Sequence, residues 1–230
     1  MSPERSRWTR PVAALIWKEL RAESRSHESV TPMIIFALVV TTVLGFGCRG
    51  AGVDLGPVFP GLMWVSIYFV GLFGLGRSFS AEKSQDTLAG LRLVPADASF
   101  IFLAKLAANL IFLGLVEVVA VPLMFVMLGV PFRAPLGPFA AVVVLGTVGF
   151  CSVGTLLAAL AAHTRAGEML LPLLVFPIIV PAVIGAVQAT SALLGGAGAG
   201  GWTRWVGLLA AYDVLFVVVP WLVFEYIIEP

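Results

Sequence analysis

The amino-acid sequence predicts an all-α membrane protein with six transmembrane helices. Hydrophobic residues make up 60% of its 230 residues and charged residues only 12%, whereas soluble proteins carry about 25% charged residues. Apolar stretches with at most one charge recur along the chain, and roughly 20 apolar residues of helix cross a bilayer core of about 30 Å. The strands of a membrane barrel would instead give alternating segments of about 10 residues. The six stretches are 31–48, 57–76, 106–130, 136–162, 169–187 and 205–224.

The distribution of basic residues predicts that both termini are cytoplasmic. If the helices alternate in direction, eleven of the 14 lysines and arginines lie on the side of the N-terminus, and only Arg49, Arg133 and Arg204 lie on the other side. Cytoplasmic loops of membrane proteins carry such an excess of Lys and Arg. We expect no cleavable signal peptide, because the basic N-terminal stretch is long and no small-residue cleavage site follows a short apolar core.

Residues 8–28 predict an interfacial amphipathic helix before the first span, within a single domain that covers residues 1–230. An apolar stripe and a basic stripe both recur at helical spacing, which suits a helix lying in the headgroup layer. The alternative is a basic leader that only sets the topology. The first span is expected to begin near Thr31 and Pro32, since proline suits a helix start. The two stripes are Val12, Ile16 and Leu20, and Lys18, Arg21 and Arg25.

Small residues, prolines and glycines mark the later spans. Gly154, Ala158 and Ala162 recur every four residues, which predicts close helix packing, either within one bundle or against a second copy. Three prolines in the fifth stretch predict a kinked or broken helix. Residues 195–201 predict a flexible outer linker; no strand precedes these glycines and no lysine follows, so they are not a phosphate-binding loop.

Two acids lie inside predicted spans, Glu117 in the third and Asp213 in the sixth. Helix geometry places both in the outer half of the bilayer. Because an intramembrane acid is costly to bury, each is expected to face protein or water. They indicate either a polar pathway or coupling contact, or an interhelical hydrogen bond helped by Asn109 or Tyr212.

Motifs for catalysis or metal binding are missing from the sequence. It contains no HExxH, GxSxG or GxxxxGK[ST] pattern, so we expect no catalytic residue and no ATPase site of its own. The two histidines and two cysteines have no ligand spacing, so no metal site is expected. A membrane enzyme using Glu117 or Asp213 would need a nucleophile–base pair, and a passive channel would need a repeated polar pore motif. The predicted spans contain neither, so both functions are disfavoured. No nucleic-acid partner is expected.

The largest internal polar segment, residues 77–98, lies between the second and third spans. Acids, bases and spaced apolar residues over 79–91 predict a short surface helix, and a solvated loop is the alternative. Leu88, Leu91 and Leu93 stand beside the charges, which favours docking against another protein.

Several blocks of the chain resemble the haem exporter protein B (CcmB) family, the membrane subunit of an ABC transporter used in cytochrome c maturation. The most specific parts are the GLGRSF run, the TRAGEMLLPL run and the FEY tail. The resemblance covers nearly the whole chain outside the first residues and the outer loops. The blocks are 18–29, 60–91, 102–117, 154–186 and 211–229.

The resemblance implies an ABC-2-like permease of six helices that pairs with a second copy of itself and with a separate ABC ATPase. It implies that the polar segment is the coupling helix seated in that ATPase. The residues expected to couple to the ATPase are Ser80, Glu82, Lys83, Gln85, Asp86, Leu88 and Leu91.

The resemblance further implies that ATP hydrolysis by the partner drives haem delivery or release of a haem-loaded periplasmic chaperone. It implies a multi-pass protein of the bacterial inner membrane that works with haem-handling membrane subunits. ATP would be bound through the partner and haem would be present in the assembled complex; these residues leave open whether haem crosses this subunit. The alternative is an ABC-2 permease for a lipid, polysaccharide or drug.

Overall fold

A computed structural model describes residues 30–84, 98–162, 167–196 and 198–228, and these form six long helices. All six are long and apolar enough to cross a membrane, which confirms the predicted fold class. No strand occurs within these ranges. The helices are α1 (Val30–Gly50), α2 (Leu55–Ser84), α3 (Ala98–Leu128), α4 (Leu136–Ala162), α5 (Gly167–Leu194) and α6 (Ala199–Ile228).

Short glycine turns join the helices into three antiparallel hairpins, α1–α2, α3–α4 and α5–α6. Gly52, Gly129 and Gly196 follow α1, α3 and α5 with φ of 72°, 66° and 70°, a conformation that residues with a Cβ adopt at a cost. After α3, the Val130 amide donates to the Phe125 carbonyl at 3.1 Å, so the turn also caps carbonyls at the helix end. The three turns therefore lie at one end of the bundle.

The helix boundaries differ from the sequence predictions in three places. α2 continues without interruption to Ser84, so its last turns replace the start of the separate surface helix expected over 79–91. α5 is one continuous helix despite Pro172, Pro177 and Pro181, so it is not broken. The linker expected over 195–201 is shorter, because α6 already begins at Ala199. The expected start of the first span is confirmed, with Pro32 in the first turn of α1.

Helices α2 and α4 form the centre of the bundle. They are the most buried spans, whereas α1 and α6 are the least buried. α4 packs against α2, α3, α5 and α6, and α1 packs against α2 and α3. Most large side chains that face outward are apolar, as expected for a surface in contact with lipid.

Large side chains on α2 and α4 fill spaces left by glycines on the opposite helix. The Trp64 indole lies where a Cβ at Gly146 would be, and the Phe150 ring lies where a Cβ at Gly71 would be. Leu75 fills the same kind of space at Gly154. Without a hydrophobic driving force between helices in lipid, such close van der Waals packing is a main source of helix association.

The small-residue row of α4 packs within the bundle where the structure describes it. Gly154 contacts Leu75 of α2, and Ala158 is buried. Of the two interpretations left by the sequence, packing inside one bundle therefore applies to Gly154. The side chain of Ala162 lies outside the described residues.

Candidate functional site

Buried polar side chains connect the helices in the interior of the bundle. Each of the following pairs joins two helices by a hydrogen bond between a donor and an acceptor. They are Thr41 to Ser66 at 3.2 Å, Trp64 to Thr190 at 3.0 Å, Tyr68 to the Gly146 carbonyl at 3.4 Å, Asn109 to Thr155 at 2.9 Å, Thr147 to Glu117 at 2.5 Å and Tyr212 to the Ile178 carbonyl at 3.0 Å.

Glu117 is buried between α3 and α4, with 5% of its surface exposed. The Thr147 hydroxyl lies 2.5 Å from Glu117 Oε1, and it also lies 2.8 Å from the Val143 carbonyl oxygen. The prediction of an interhelical hydrogen bond is met for this acid, but its partner is Thr147 rather than Asn109 or Tyr212. The sequence did not identify Thr147 as the partner of Glu117, because a lone threonine in an apolar helix is common.

Asp213 is buried between α4 and α6, with 6% of its surface exposed. Neither carboxylate oxygen has a hydrogen-bond partner among the residues that the structure describes. The carboxyl lies against the backbone of Gly149, where a Cβ would be 2.7 Å from Asp213 Oδ1. The adjacent Tyr212 hydroxyl is directed to the Ile178 carbonyl on α5 instead. Asp213 therefore reaches α4 only because residue 149 has no side chain.

Glu117 and Asp213 lie at a similar depth, close to the middle of their helices. The helix bounds place Glu117, Thr147, Tyr68 and Asp213 about 16 to 20 Å along the helix axis from the end that carries the three glycine turns. At this level Thr147 of α4 contacts Glu117 of α3, Gly149 of α4 receives Asp213 of α6, and the Tyr68 hydroxyl of α2 lies 3.4 Å from the Gly146 carbonyl of α4. We call Tyr68, Glu117, Thr147 and Asp213 the mid-membrane cluster.

Asn109, the third predicted intramembrane polar residue, lies outside this cluster. It is eight residues, or about 12 Å of helix, from Glu117. Its amide Nδ2 donates to the Thr155 hydroxyl on α4 at 2.9 Å. Two polar contacts therefore connect α3 to α4 at separate levels.

Breaking the Asn109–Thr155 contact is expected to destabilise the bundle modestly. Hydrogen bonds between membrane helices contribute about 0.6 kcal/mol on average and at most about 1.7 kcal/mol in double-mutant cycles. Asn109→Leu and Thr155→Val, measured singly and together by unfolding in mixed micelles, should give a coupling energy of that size. Strictly additive effects would contradict a direct contact.

The predicted ATPase-coupling residues divide between the end of α2 and residues that the structure does not describe. Ser80, Glu82 and Lys83 lie in the last turns of α2, although their side chains are not described. Gln85, Asp86, Leu88 and Leu91 lie outside the described residues, as does the predicted interfacial helix over 8–28. α2 has 30 residues, or about 45 Å of helix, so it is longer than a bilayer core of about 30 Å.

Within the described ranges, no group of three His, Cys, Asp or Glu side chains could hold a metal ion. Cys48 and Cys151 are both free thiols, the first half-buried and the second buried.

Comparison with known proteins identifies the family. The sequence model of the family described as "CcmB protein" matches residues 10–225. The chain is 32% identical to heme exporter protein B of Rhodobacter capsulatus over 173 residues, which cover 75% of this chain and 79% of the relative. It is 30% identical to the protein of the same name from Paracoccus denitrificans over 200 residues, covering 86% and 90%. The corresponding protein of Pseudomonas aeruginosa is also 30% identical, over 81% of this chain and 83% of its own length. The match across nearly the whole chain and the six membrane helices show that this protein belongs to the CcmB family.

Proposed function

We propose that this chain is the membrane subunit of an ABC transporter that serves cytochrome c maturation. The observation that carries the proposal is the family match over residues 10–225, together with relatives named heme exporter protein B that align over most of their length. The six-helix bundle is consistent with a permease component. In this role the chain binds partners and changes conformation, and the chemistry of ATP hydrolysis takes place elsewhere.

A separate ABC ATPase supplies the energy under this proposal, because the sequence contains no GxxxxGK[ST] loop. The continuous helix α2 supports a direct route for coupling, since it joins the central core to the polar segment after Ser84. Movement of the ATPase would act on residues 80–91 and tilt α2 within the bundle. A second copy of the chain would complete the permease.

Under this proposal the bundle lies in the bacterial inner membrane, with both termini in the cytoplasm. The basic residues that follow α2 and precede α1 support this orientation by the positive-inside rule. Haem-handling membrane subunits and a periplasmic haem chaperone are the further partners of the complex. ATP turnover would then drive haem delivery or release of the loaded chaperone.

Deletion of the gene is expected to abolish covalent haem attachment to c-type cytochromes. Haem-stained gels of membrane and periplasmic fractions measure this directly, and expression of the full chain from a plasmid should restore it. The b-type cytochromes of the same membranes serve as the control, because they bind haem without attachment. Normal c-type cytochromes in the deletion strain, with an altered lipid, polysaccharide or drug-resistance profile, would support the alternative exporter.

A further inference from the structure

We propose that Asp213 is a proton-binding site inside the membrane, at which the carboxyl is held as the neutral acid within the mid-membrane cluster. Binding adds one proton to the carboxylate and breaks no other bond. The inference concerns the chemistry of the bundle interior and goes beyond the transporter function proposed above.

The first support is that no described residue donates a hydrogen bond to the carboxyl. Both Asp213 oxygens are buried and accept no hydrogen bond from any described residue. The Tyr212 hydroxyl donates to the Ile178 carbonyl at 3.0 Å, and the Tyr68 hydroxyl is oriented to the Gly146 carbonyl at 3.4 Å. A carboxylate can only accept hydrogen bonds, whereas a carboxylic acid has one donor of its own.

The second support is that no described residue places a compensating positive charge next to the carboxyl. From α3 the group closest in depth is Glu117, whose charge has the same sign, and Lys105 is about 18 Å further along that helix. Among the described side chains, the titratable group of α4 is Cys151 and that of α2 is Tyr68, and neither becomes a cation. The described side chains of α5 include no titratable group. On α6 itself, Tyr212 is adjacent, and the cation Arg204 is nine residues or about 14 Å of helix away, where it is exposed and lies over the Trp205 ring.

The third support is the close packing of the Asp213 carboxyl against Gly149. Gly149 admits Asp213 Oδ1 to a position 2.7 Å from where a Cβ would be. Because the carboxyl is fixed against this backbone at mid-membrane depth, it is not able to reach the headgroup region. A buried, unpaired ion in a low-dielectric interior is strongly unfavourable, and taking up a proton removes the charge.

The hydrogen-bond geometry around Glu117 is consistent with a second protonated carboxyl in the cluster. The Thr147 hydroxyl has one hydrogen but lies within bonding distance of two acceptors, Glu117 Oε1 at 2.5 Å and the Val143 carbonyl at 2.8 Å. If Glu117 were also protonated, it would donate to Thr147, and both contacts would be hydrogen bonds. Glu117 therefore has to be separated from Asp213 in any test.

Infrared spectroscopy of the full chain, reconstituted in phosphatidylcholine–phosphatidylglycerol vesicles, tests the proposal. At about pH 7, the wild-type spectrum should contain the C=O stretch of a protonated, buried carboxyl, which shifts in D₂O. Asp213→Asn should remove this component, Asp213→Glu should retain it at a shifted frequency, and Glu117→Gln should leave the Asp213 component in place. Asp54→Asn is the matched control, because it removes an exposed carboxyl from the α1–α2 turn.

Two results would overturn the proposal. A wild-type spectrum without a protonated-carboxyl component would do so whether or not any variant folds. Loss of the whole component in Glu117→Gln, with no change in Asp213→Asn, would assign the proton to Glu117 alone. Loss of the component in Asp213→Asn but not in Asp54→Asn supports the site.

Discussion

Replacing Gly146 with leucine is expected to reduce the yield of folded protein in the membrane to a small fraction of the wild-type level. Trp64 is fully buried, and its indole occupies the place where a Cβ at residue 146 would be. The indole has little freedom to move, because its Nε1 donates to Thr190 at 3.0 Å and its ring lies 5.3 Å from that of Tyr68. Overpacking of a core typically costs about 1–3 kcal/mol, and that is a large part of the stability of a marginally stable protein.

The amount of monodisperse protein recovered in mild detergent and its thermal unfolding would measure this effect. Gly114→Leu is the matched control, since Gly114 is also a membrane-helix glycine but has no atom within 4 Å of its Cβ position. Trp64→Ala combined with Gly146→Leu should recover part of the lost yield, because the leucine then enters the space left by the indole. Equal yields for Gly146→Leu and Gly114→Leu would show that the two helices do not meet as described.

Replacing Ser80 with proline is expected to lower c-type cytochrome formation by at least tenfold while leaving the membrane bundle folded. Ser80 lies in the last turns of α2, beyond the described part of the core. A proline inside a helix removes one backbone hydrogen bond and clashes with the preceding turn, at a cost of about 3 kcal/mol. If α2 transmits the ATPase movement as a continuous helix, a break at this position should stop movement at the ATPase-facing end from reaching the part of α2 inside the bundle.

Haem-stained cytochromes and the ATPase activity of the purified complex, with and without the periplasmic chaperone, would be measured together. Ser80→Ala keeps the helix and is the matched control. The proline variant should still assemble with the ATPase, but its ATP turnover should no longer respond to the chaperone. Normal cytochrome formation in a strain that carries only the proline variant would exclude transmission through this part of α2.

Most of the fold was predictable from the sequence because lipid imposes a strong constraint on composition. A membrane helix must be long and apolar, so the six spans are visible as uncharged stretches. The end of α2 was predicted less well, because charges at a membrane boundary are compatible both with a continuing helix and with a new surface helix. The prolines of α5 predicted either a kinked or a broken helix, and the structure excludes the break. Composition could not decide this, since it does not show whether neighbouring helices hold a proline-containing helix together.

The candidate site was predictable in its residues but not in its contacts. Glu117, Asp213 and Asn109 stood out because ionisable and amide groups are rare in apolar spans. Their partners depend on how each helix is rotated about its axis, which a helix that is apolar on every side does not reveal. The pairing of Glu117 with Thr147 and the contact of Asp213 with Gly149 therefore required the structure.

The positions of Glu117 and Asp213 along the chain affect the order in which the helices can insert into the membrane. α3 leaves the ribosome before α4, so Glu117 is synthesised before its partner Thr147. α6 is the last helix of the six, and it enters when Gly149 can already be in place. A lone acid at the centre of an inserting helix costs roughly 2.5–3.5 kcal/mol, so α3 gains from waiting beside the translocon until α4 emerges. Insertion of α3 and α4 as one hairpin is the consequence of placing an acid on the earlier helix and its hydroxyl partner on the later one.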